Sequence, residues 1–313
     1  MITKLLFMEI LKYFLMMFIG YLLVKGKILR TEESSVLSKI LVNAVTPCVI
    51  INAFQIKMNR ENLYGLLLAF VSAIVIHGLL AFLSWLFGKV FHLNGMEKAS
   101  IMYSNAGNMI IPIVLSIFGQ EWVVYSSAFI AVQLILLWSH GKTIVCGEKK
   151  FEWKKLLSNL NMISIAIGLL LMALKIYLPE IIVDTFSTIG TTMAPLSMLV
   201  IGMMIARMDT GQTVLNRRIY LIAALRLVLC PLMVLLLMRI LWSQIHLERA
   251  DTILFISYLA SITPVCSTIT QMTQVYGGDE KYAGAINVMT TLGCLLSIPL
   301  MTELYRVCMN FRG

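Results

Sequence analysis

The sequence predicts an all-α integral membrane protein: ten transmembrane helices arranged as two inverted five-helix repeats, with the fourth and ninth helices broken. Three observations lead to this fold class. Of the 313 residues, 59% are hydrophobic and only 13% charged, whereas a soluble domain of this size needs a more polar surface. Apolar runs of about 20 residues, long enough to cross about 30 Å of hydrocarbon, recur along the whole chain. Prolines also recur at a nearly constant offset.

The apolar runs define the predicted helices and the division of the chain. The first run lacks a small-residue cleavage site, so we expect a retained helix rather than a signal peptide. The predicted spans are 5–24, 35–56, 63–90, 99–119, 122–144, 157–178, 186–207, 219–241, 251–276 and 282–305. The longest polar interval separates the fifth span from the sixth. We therefore expect a first five-helix repeat in 1–146, a basic loop in 147–156 and a second repeat in 157–313.

The distribution of Lys and Arg predicts the orientation. With the N-terminus outside, the inner loops hold fourteen of these residues and the outer segments eight. Cytoplasmic loops carry the excess of positive charge in membrane proteins. The sequence therefore predicts a multi-pass protein of the cell membrane, with both termini outside and the central basic loop in the cytoplasm.

Two pairs of prolines indicate the repeat. Pro47 of the second span and Pro195 of the seventh lie 148 residues apart, and Pro112 of the fourth and Pro264 of the ninth lie 152 apart. A five-helix unit that occurs twice must insert in opposite orientations because its number of helices is odd. This is the inverted-repeat architecture of many secondary transporters.

The fourth and ninth spans supply the candidate binding site. A proline inside a membrane helix frees a carbonyl and exposes polar backbone, which is tolerated beside a cavity or buried in protein. If both helices unwind at their prolines and cross near the midplane, their broken ends present N–H groups to an anion. Alternatively, the polar side chains only satisfy the freed backbone or hold helices together. The candidate substrate-binding residues are Asn105, Gly107, Asn108, Pro112, Ser261, Thr263 and Pro264.

Arg226 is a further candidate for substrate binding. It lies eight residues after Arg218, about 12 Å into the eighth span, where a charge must be paired or face water. Either it attracts an anionic substrate, or its role is structural, by snorkelling or by capping carbonyl groups of a neighbouring broken helix. The sequence leaves these two roles equally open.

Several classes of function do not fit the sequence. The net charge of +9 is spread over short loops, which argues against nucleic-acid binding. We find no metal-binding cysteine spacing, no nucleophile motif of a membrane enzyme and no channel filter motif, and we expect no cofactor and no catalytic residues. A convincing acidic residue for proton coupling is also missing from the spans, so the energy source stays open.

Four stretches of sequence resemble a known family. They begin with FIGYLLVKGKI and LSKILVNAVTPCVI, continue with NAGNMIIPIVLSIFGQEWVVYSSAFIAVQLILLWSHG, and end with QVYGGDEKYAGAINVMTTLGCLLSIPL. Together they resemble the auxin efflux carrier family in its bacterial form. That family includes plant auxin exporters and bacterial malate and malonate carriers, within the wider group of bile-acid and arsenite transporters.

The resemblance implies a scaffold domain and a transport domain, whose crossing broken helices hold the substrate. The family's Asn-x-Gly-Asn motif before proline falls on Asn105, Gly107, Asn108 and Pro112, and its crossover proline falls on Pro264. The family often has Gly shortly before the first of these prolines, where this chain has Ile110 and Ile111, which predicts a bulkier cavity wall.

We therefore expect a secondary transporter that moves small organic anions across the cell membrane by alternating access. By the resemblance, these are carboxylates such as malate, malonate or auxin-like acids. An anion channel, or an ion-coupled carrier of another small solute similar to the bile-acid transporters, is the alternative. The expected partners are the substrate and the lipid bilayer, with a homodimer left open.

Overall fold

The computed structural model describes residues 2–30, 33–55, 60–147, 157–206, 216–242, 249–275 and 278–309. In these ranges the regular structure is helical, with one isolated β-bridge. Most of the predicted central loop, 148–156, lies outside the described residues, so the predicted boundary between the repeats stays a prediction. The described helices are α1 Ile2–Lys25, α2 Ser34–Ala53, α3 Arg60–Val90, α4 Gly95–Met102, α5 Ala106–Ile117, α6 Gln120–Val145, α7 Leu160–Ala173, α8 Glu180–Ala206, α9 Arg217–Ile240, α10 Ala250–Ser261, α11 Ser267–Val275 and α12 Glu280–Met309.

The helices confirm an α-helical membrane protein. In the described part of the chain, six helices are long and apolar enough to cross a bilayer, namely α2, α3, α6, α8, α9 and the Lys281–Met309 part of α12. The helices α7 and α10 are apolar but shorter. A helix satisfies its own backbone in lipid, which explains why apolar runs of this length adopt it. The number of ten spans and the inverted repeat stay predictions.

Several prolines coincide with irregular turns. Pro47 of α2 and Pro231 of α9 each follow a π-helical turn, Leu41–Val45 and Leu225–Leu229 respectively. Within α8, the first helical segment ends at Thr191, and the segment that contains Pro195 begins at Met193. Proline has no N–H to donate to the preceding turn, so a wider or interrupted turn before it accommodates the missing hydrogen bond.

The helices form two packed groups. In the first group, α1 packs along α8, and α2 packs against α7 and α8. Gly20 faces the backbone of Leu199 and Gly202 faces that of Met17, so closely that neither position has room for a side chain. Small residues at such points let membrane helices approach each other. In the second group, α3 packs against α4, α6 and α10, α5 packs against α6 and α10, and α12 packs against α9 and α11.

Candidate functional site

Two broken helices cross in the second group. The chain leaves α4 at Tyr103 and re-enters a helix at Ala106, and it leaves α10 at Ile262 and re-enters at Ser267. The two interruptions pair as a minimal antiparallel bridge centred on Ser104 and Val265. The N–H of Asn105 donates to the Pro264 carbonyl at 2.8 Å, and the N–H of Cys266 donates to the Tyr103 carbonyl at 3.0 Å. The two interruptions therefore lie against each other.

The position of the first break differs from the prediction. Pro264 lies in the interruption between α10 and α11, as expected. Pro112, however, lies inside α5, eight residues beyond Ser104, and the prediction that the fourth span unwinds at Pro112 is wrong. The Pro112 carbonyl instead accepts a hydrogen bond from the Tyr13 hydroxyl of α1 at 3.1 Å. The second proline pair therefore does not mark equivalent points of the two breaks.

Side chains from α6 and α12 explain why the chain breaks at the bridge. Ser104 and Val265 face each other without bonding, so their own backbone groups point away from the partner segment. On one side, Gln133 donates to the Ser104 carbonyl at 2.9 Å and accepts from the Ser104 hydroxyl at 2.6 Å and its N–H at 3.3 Å. On the other, Asn287 donates to the Val265 carbonyl at 3.0 Å, and the Thr290 hydroxyl accepts from the Val265 N–H at 3.2 Å. The backbone N–H and carbonyl groups of Ser104 and Val265 thus have polar side chains as hydrogen-bond partners in both buried breaks.

Arg226 binds the carbonyl side of the crossing. Its guanidinium is fully buried and donates to the carbonyls of Ser261 at 2.7 Å, Thr263 at 2.9 Å and Ile101 at 2.9 Å. These carbonyls belong to the ends of α4 and α10 and to the break that follows α10. Of the two roles that the sequence left open, the observed contacts are those of the carbonyl cap.

A cavity of about 100 Å³ lies on the opposite, N–H side of the crossing. The second group contributes Asn105, which precedes α5, and Ser267, the first residue of α11. The first group contributes α2 and α8. The polar residues that line the cavity are Ser38, Asn105, Ser197, Ser267, Asn287 and Thr291. None of the described lining residues carries a charge, so the positive ends of α5 and α11 set the polarity of the cavity.

Of the predicted site residues, some lie at the cavity and others do not. Asn105 lines the cavity, and a side chain added at Gly107 would meet open space. The backbone of Asn108 lies in α5, while its side chain is outside the described residues. The hydroxyls of Ser261 and Thr263 donate to carbonyls three residues earlier, and neither residue lines the cavity.

The predicted bulkier wall at Ile110 and Ile111 is wrong. Both side chains are buried in the core and neither lines the cavity.

Several residues at the site escaped the sequence analysis. Gln133 is an amide in the middle of an apolar helix, and such residues are costly in membranes unless they have partners. Asn287, Thr290 and Thr291 form a polar stripe at helical spacing on α12, which is the signal that could have indicated them. Ser197 gives no such signal, yet it faces the cavity from α8. It is 2% exposed, and its hydroxyl has no hydrogen-bond partner among the described residues.

An ion pair fixes the far end of α4, just before the predicted span 99–119. The buried carboxylate of Glu97 accepts from Arg218 of α9 at 2.5 and 2.9 Å and from the Tyr282 hydroxyl of α12 at 2.7 Å. With Asn94 it also forms the capping box of α4. Desolvation opposes ionisation, but these bonds outweigh it and hold the pKa of Glu97 below its usual range. The starts of α4, α9 and α12 are thereby tied together.

These features define an α-helical membrane protein with a small uncharged polar cavity beside two crossed, broken helices. A family model described as "Membrane transport protein" matches residues 5–150 and 145–302, nearly the whole chain. The chain belongs to this family of membrane transporters, which is the family that the resemblance to auxin efflux carriers indicated. A search among curated proteins found no match.

Proposed function

We propose that this membrane transporter is a secondary carrier of small organic anions, which it moves across the cell membrane by alternating access. The observation that carries the proposal is the cavity between Asn105 and Ser267 on one side and Ser197 on the other. Membership of the transporter family supports the function class. The geometry of the cavity supports the chemistry of the substrate.

The helix ends favour a negatively charged group. The first N–H groups of a helix have no partner inside it, and the N-terminus carries a partial positive charge. Two such ends, those of α5 and α11, meet the same cavity. The amide of Asn287 and the surrounding hydroxyls supply further hydrogen bonds for carboxylate oxygens. Because no charged side chain lines the described cavity, selectivity rests on dipoles and hydrogen bonds rather than on an ion pair.

The position of the cavity suits alternating access. One wall comes from α2 and α8 of the first packed group, the other from α5, α11 and α12 of the second. Movement of one group against the other would open the cavity to either side while the crossing stays intact. We therefore propose that the first group is the scaffold and the second the transport unit, within two inverted repeats. An anion that leaves an inside-negative cell gains about 2.3 kcal/mol per charge per 100 mV, so the membrane potential suffices for export.

The experiment is a thermal-shift screen of the purified full chain against mono- and dicarboxylates and indole acids, with neutral polyols of similar size as the comparison. A ligand that binds only the folded state raises the apparent melting temperature. We expect saturable shifts with carboxylates alone. If polyols shift the melting temperature and carboxylates do not, the anion proposal is wrong.

A matched pair of variants tests the site. Ser197→Ala removes a buried hydroxyl that has no described partner, so we expect an unchanged melting temperature and at least about fivefold weaker binding of the best carboxylate, equivalent to one lost hydrogen bond. Ser164→Ala on α7 is the control, because Ser164 is equally buried but bonds the Leu160 carbonyl of its own helix. Equal affinities in both variants would remove Ser197 from the site.

Flux through liposomes separates a carrier from a channel. A carrier takes up labelled substrate with saturation, and preloaded unlabelled substrate accelerates the exchange. Unsaturable flux that follows the applied voltage linearly would identify an anion channel instead.

A further inference from the structure

The carbonyl side of the crossing, where helix C-termini meet, carries a partial negative charge. The last carbonyls of a helix lack partners within it, and the C-terminus carries a partial negative charge. Two such ends, those of α4 and α10, converge with the Thr263 carbonyl at one buried point. In carriers built on broken helices, unwound carbonyls and half-helix C-termini of this kind coordinate the coupling Na⁺ or H⁺.

In this chain a side chain occupies that point. The guanidinium nitrogens of Arg226 lie 2.7 to 3.2 Å from the carbonyl oxygens of Ile101, Ser261 and Thr263. No carboxylate among the described residues forms an ion pair with Arg226, and its side chain is 0% exposed. Its charge is therefore balanced by carbonyl dipoles, as that of a bound cation would be. Only arginine presents five N–H donors in one plane together with a permanent charge.

We propose that Arg226 is a resident cation that takes the place of an exchangeable coupling ion at the crossing, so that substrate binding and transport require no sodium. Arg226 is in this view a positioning residue. It holds the C-terminal ends of α4 and α10 together while the N-terminal ends of α5 and α11 face the cavity. The inference deepens the proposed function, on which it rests, and argues against the ion-coupled alternative.

The position of Arg226 in α9 supports this role. It lies in the π-helical turn Leu225–Leu229, which precedes Pro231. Such turns inside α-helices are rare and occur frequently at functional sites. The ion pair of Arg218 with Glu97 fixes the start of the same helix against α4. Two arginines of α9 thus hold both ends of α4, which makes α9 the element that determines where the crossing lies.

The test measures the response of the folded protein to cations. Thermal unfolding of the purified full chain is followed while choline chloride is replaced by sodium chloride at constant ionic strength. A second titration uses millimolar guanidinium chloride. For the wild type we expect no saturable change with either ion. For Arg226→Ala we expect a lower melting temperature that guanidinium or sodium raises saturably by at least about 3 °C, because a ligand that binds only the folded state stabilises it.

Two further variants complete the experiment. Arg306→Ala is the control, because Arg306 is exposed and its ion pair among the described residues is with Glu303, one turn away in α12. We expect no cation response from it. Arg226→Lys keeps the charge with fewer donors, so we expect partial stability and no response to guanidinium. A merely structural packing role of Arg226 would lower the melting temperature without creating any response to cations.

The outcomes are decisive in both directions. Saturable stabilisation of the wild type by sodium overturns the proposal, and this arm holds even if Arg226→Ala does not fold. Equal guanidinium responses in Arg226→Ala and Arg306→Ala overturn it as well. Neither measurement uses a carboxylate. A negative carboxylate screen would therefore refute the proposed substrate class and leave the assignment of Arg226 to be judged by its own result.

Discussion

Replacement of Gln133 by leucine tests whether the break after α4 depends on its side-chain partner. Leucine has a similar volume and creates little cavity, so the change mainly removes hydrogen bonds. Gln133 is 3% exposed and bonds the carbonyl, the N–H and the hydroxyl of Ser104. The hydroxyl can rotate toward another acceptor, but the two backbone groups cannot follow it. Gln133→Leu therefore leaves a buried N–H and a buried carbonyl without partners.

The size of the effect follows from these two groups. A buried backbone group that loses its partner costs about 1 to 3 kcal/mol. The N–H bond is long at 3.3 Å and counts at the lower end, while the carbonyl bond at 2.9 Å is well formed. We expect a loss of about 2 to 4 kcal/mol in the free energy of unfolding. At about 2 °C per kcal/mol for a protein of this size, the melting temperature falls by about 4 to 8 °C.

The assay is thermal unfolding of the purified protein, with Gln120→Leu as the matched control. Gln120 starts α6 and is half-buried, and its side chain makes one hydrogen bond within the described residues, to the Val49 carbonyl at 3.1 Å. Its replacement should lower the melting temperature by less than about 3 °C. If both variants melt at the same temperature, the reasoning is refuted, because the bridge to Val265 alone would then hold the break. Hydrogen exchange at Ser104 and Asn105 should also accelerate in Gln133→Leu only.

Three further predictions concern the ends and the prolines of the broken helices. Arg218→Ala leaves the buried carboxylate of Glu97 without its cation and should lower the melting temperature by about 4 °C, whereas Arg217→Ala, at the exposed neighbouring position, should leave it unchanged. The pKa of Glu97 is lower in the folded state than in the unfolded state. The carboxylate therefore stabilises the fold above the unfolded pKa of about 4.3, and this contribution is lost as the pH falls through the folded pKa. The melting temperature of Glu97→Gln should therefore depend less on pH in that range. Pro112→Ala should keep or raise the melting temperature, since Pro112 lies inside the continuous helix α5, where proline is the least favourable residue. Pro264→Ala adds a buried N–H at the crossing and should lower the melting temperature by about 2 to 4 °C. The opposite order would restore Pro112 as the point of unwinding.

The helices could be predicted because the bilayer imposes a simple rule. Every backbone group in lipid needs a partner, so a long apolar run must be a helix, and composition alone is sufficient to find it. The predicted spans accordingly overlap α2, α3, α6, α8, α9 and α12, which are long and apolar in the structure. The ends were less predictable, because polar residues such as Arg60 and Glu61 can lie in the first turn of a helix as well as in a loop.

The first break was placed wrongly because proline is only one cause of unwinding. A single missing N–H at Pro112 can be absorbed inside α5, which continues past it to Ile117. The chain breaks instead where Gln133 offers a donor and an acceptor to the backbone of Ser104. That partner is 29 residues away in sequence, and no local pattern reveals it. The N–H and carbonyl groups decide the break, and their partners are tertiary.

The two sides of the crossing explain why a cavity without charged side chains can still select for charge. A pair of opposed half-helices has two negative ends and two positive ends at its centre. If all four helix ends faced one cavity, their partial charges would largely cancel at a small ligand. Here Arg226 bonds the carbonyls at the negative ends inside the protein, while the positive ends of α5 and α11 face the cavity beside Asn105 and Ser267. The anion preference that we propose for the cavity therefore depends on a residue that does not touch it.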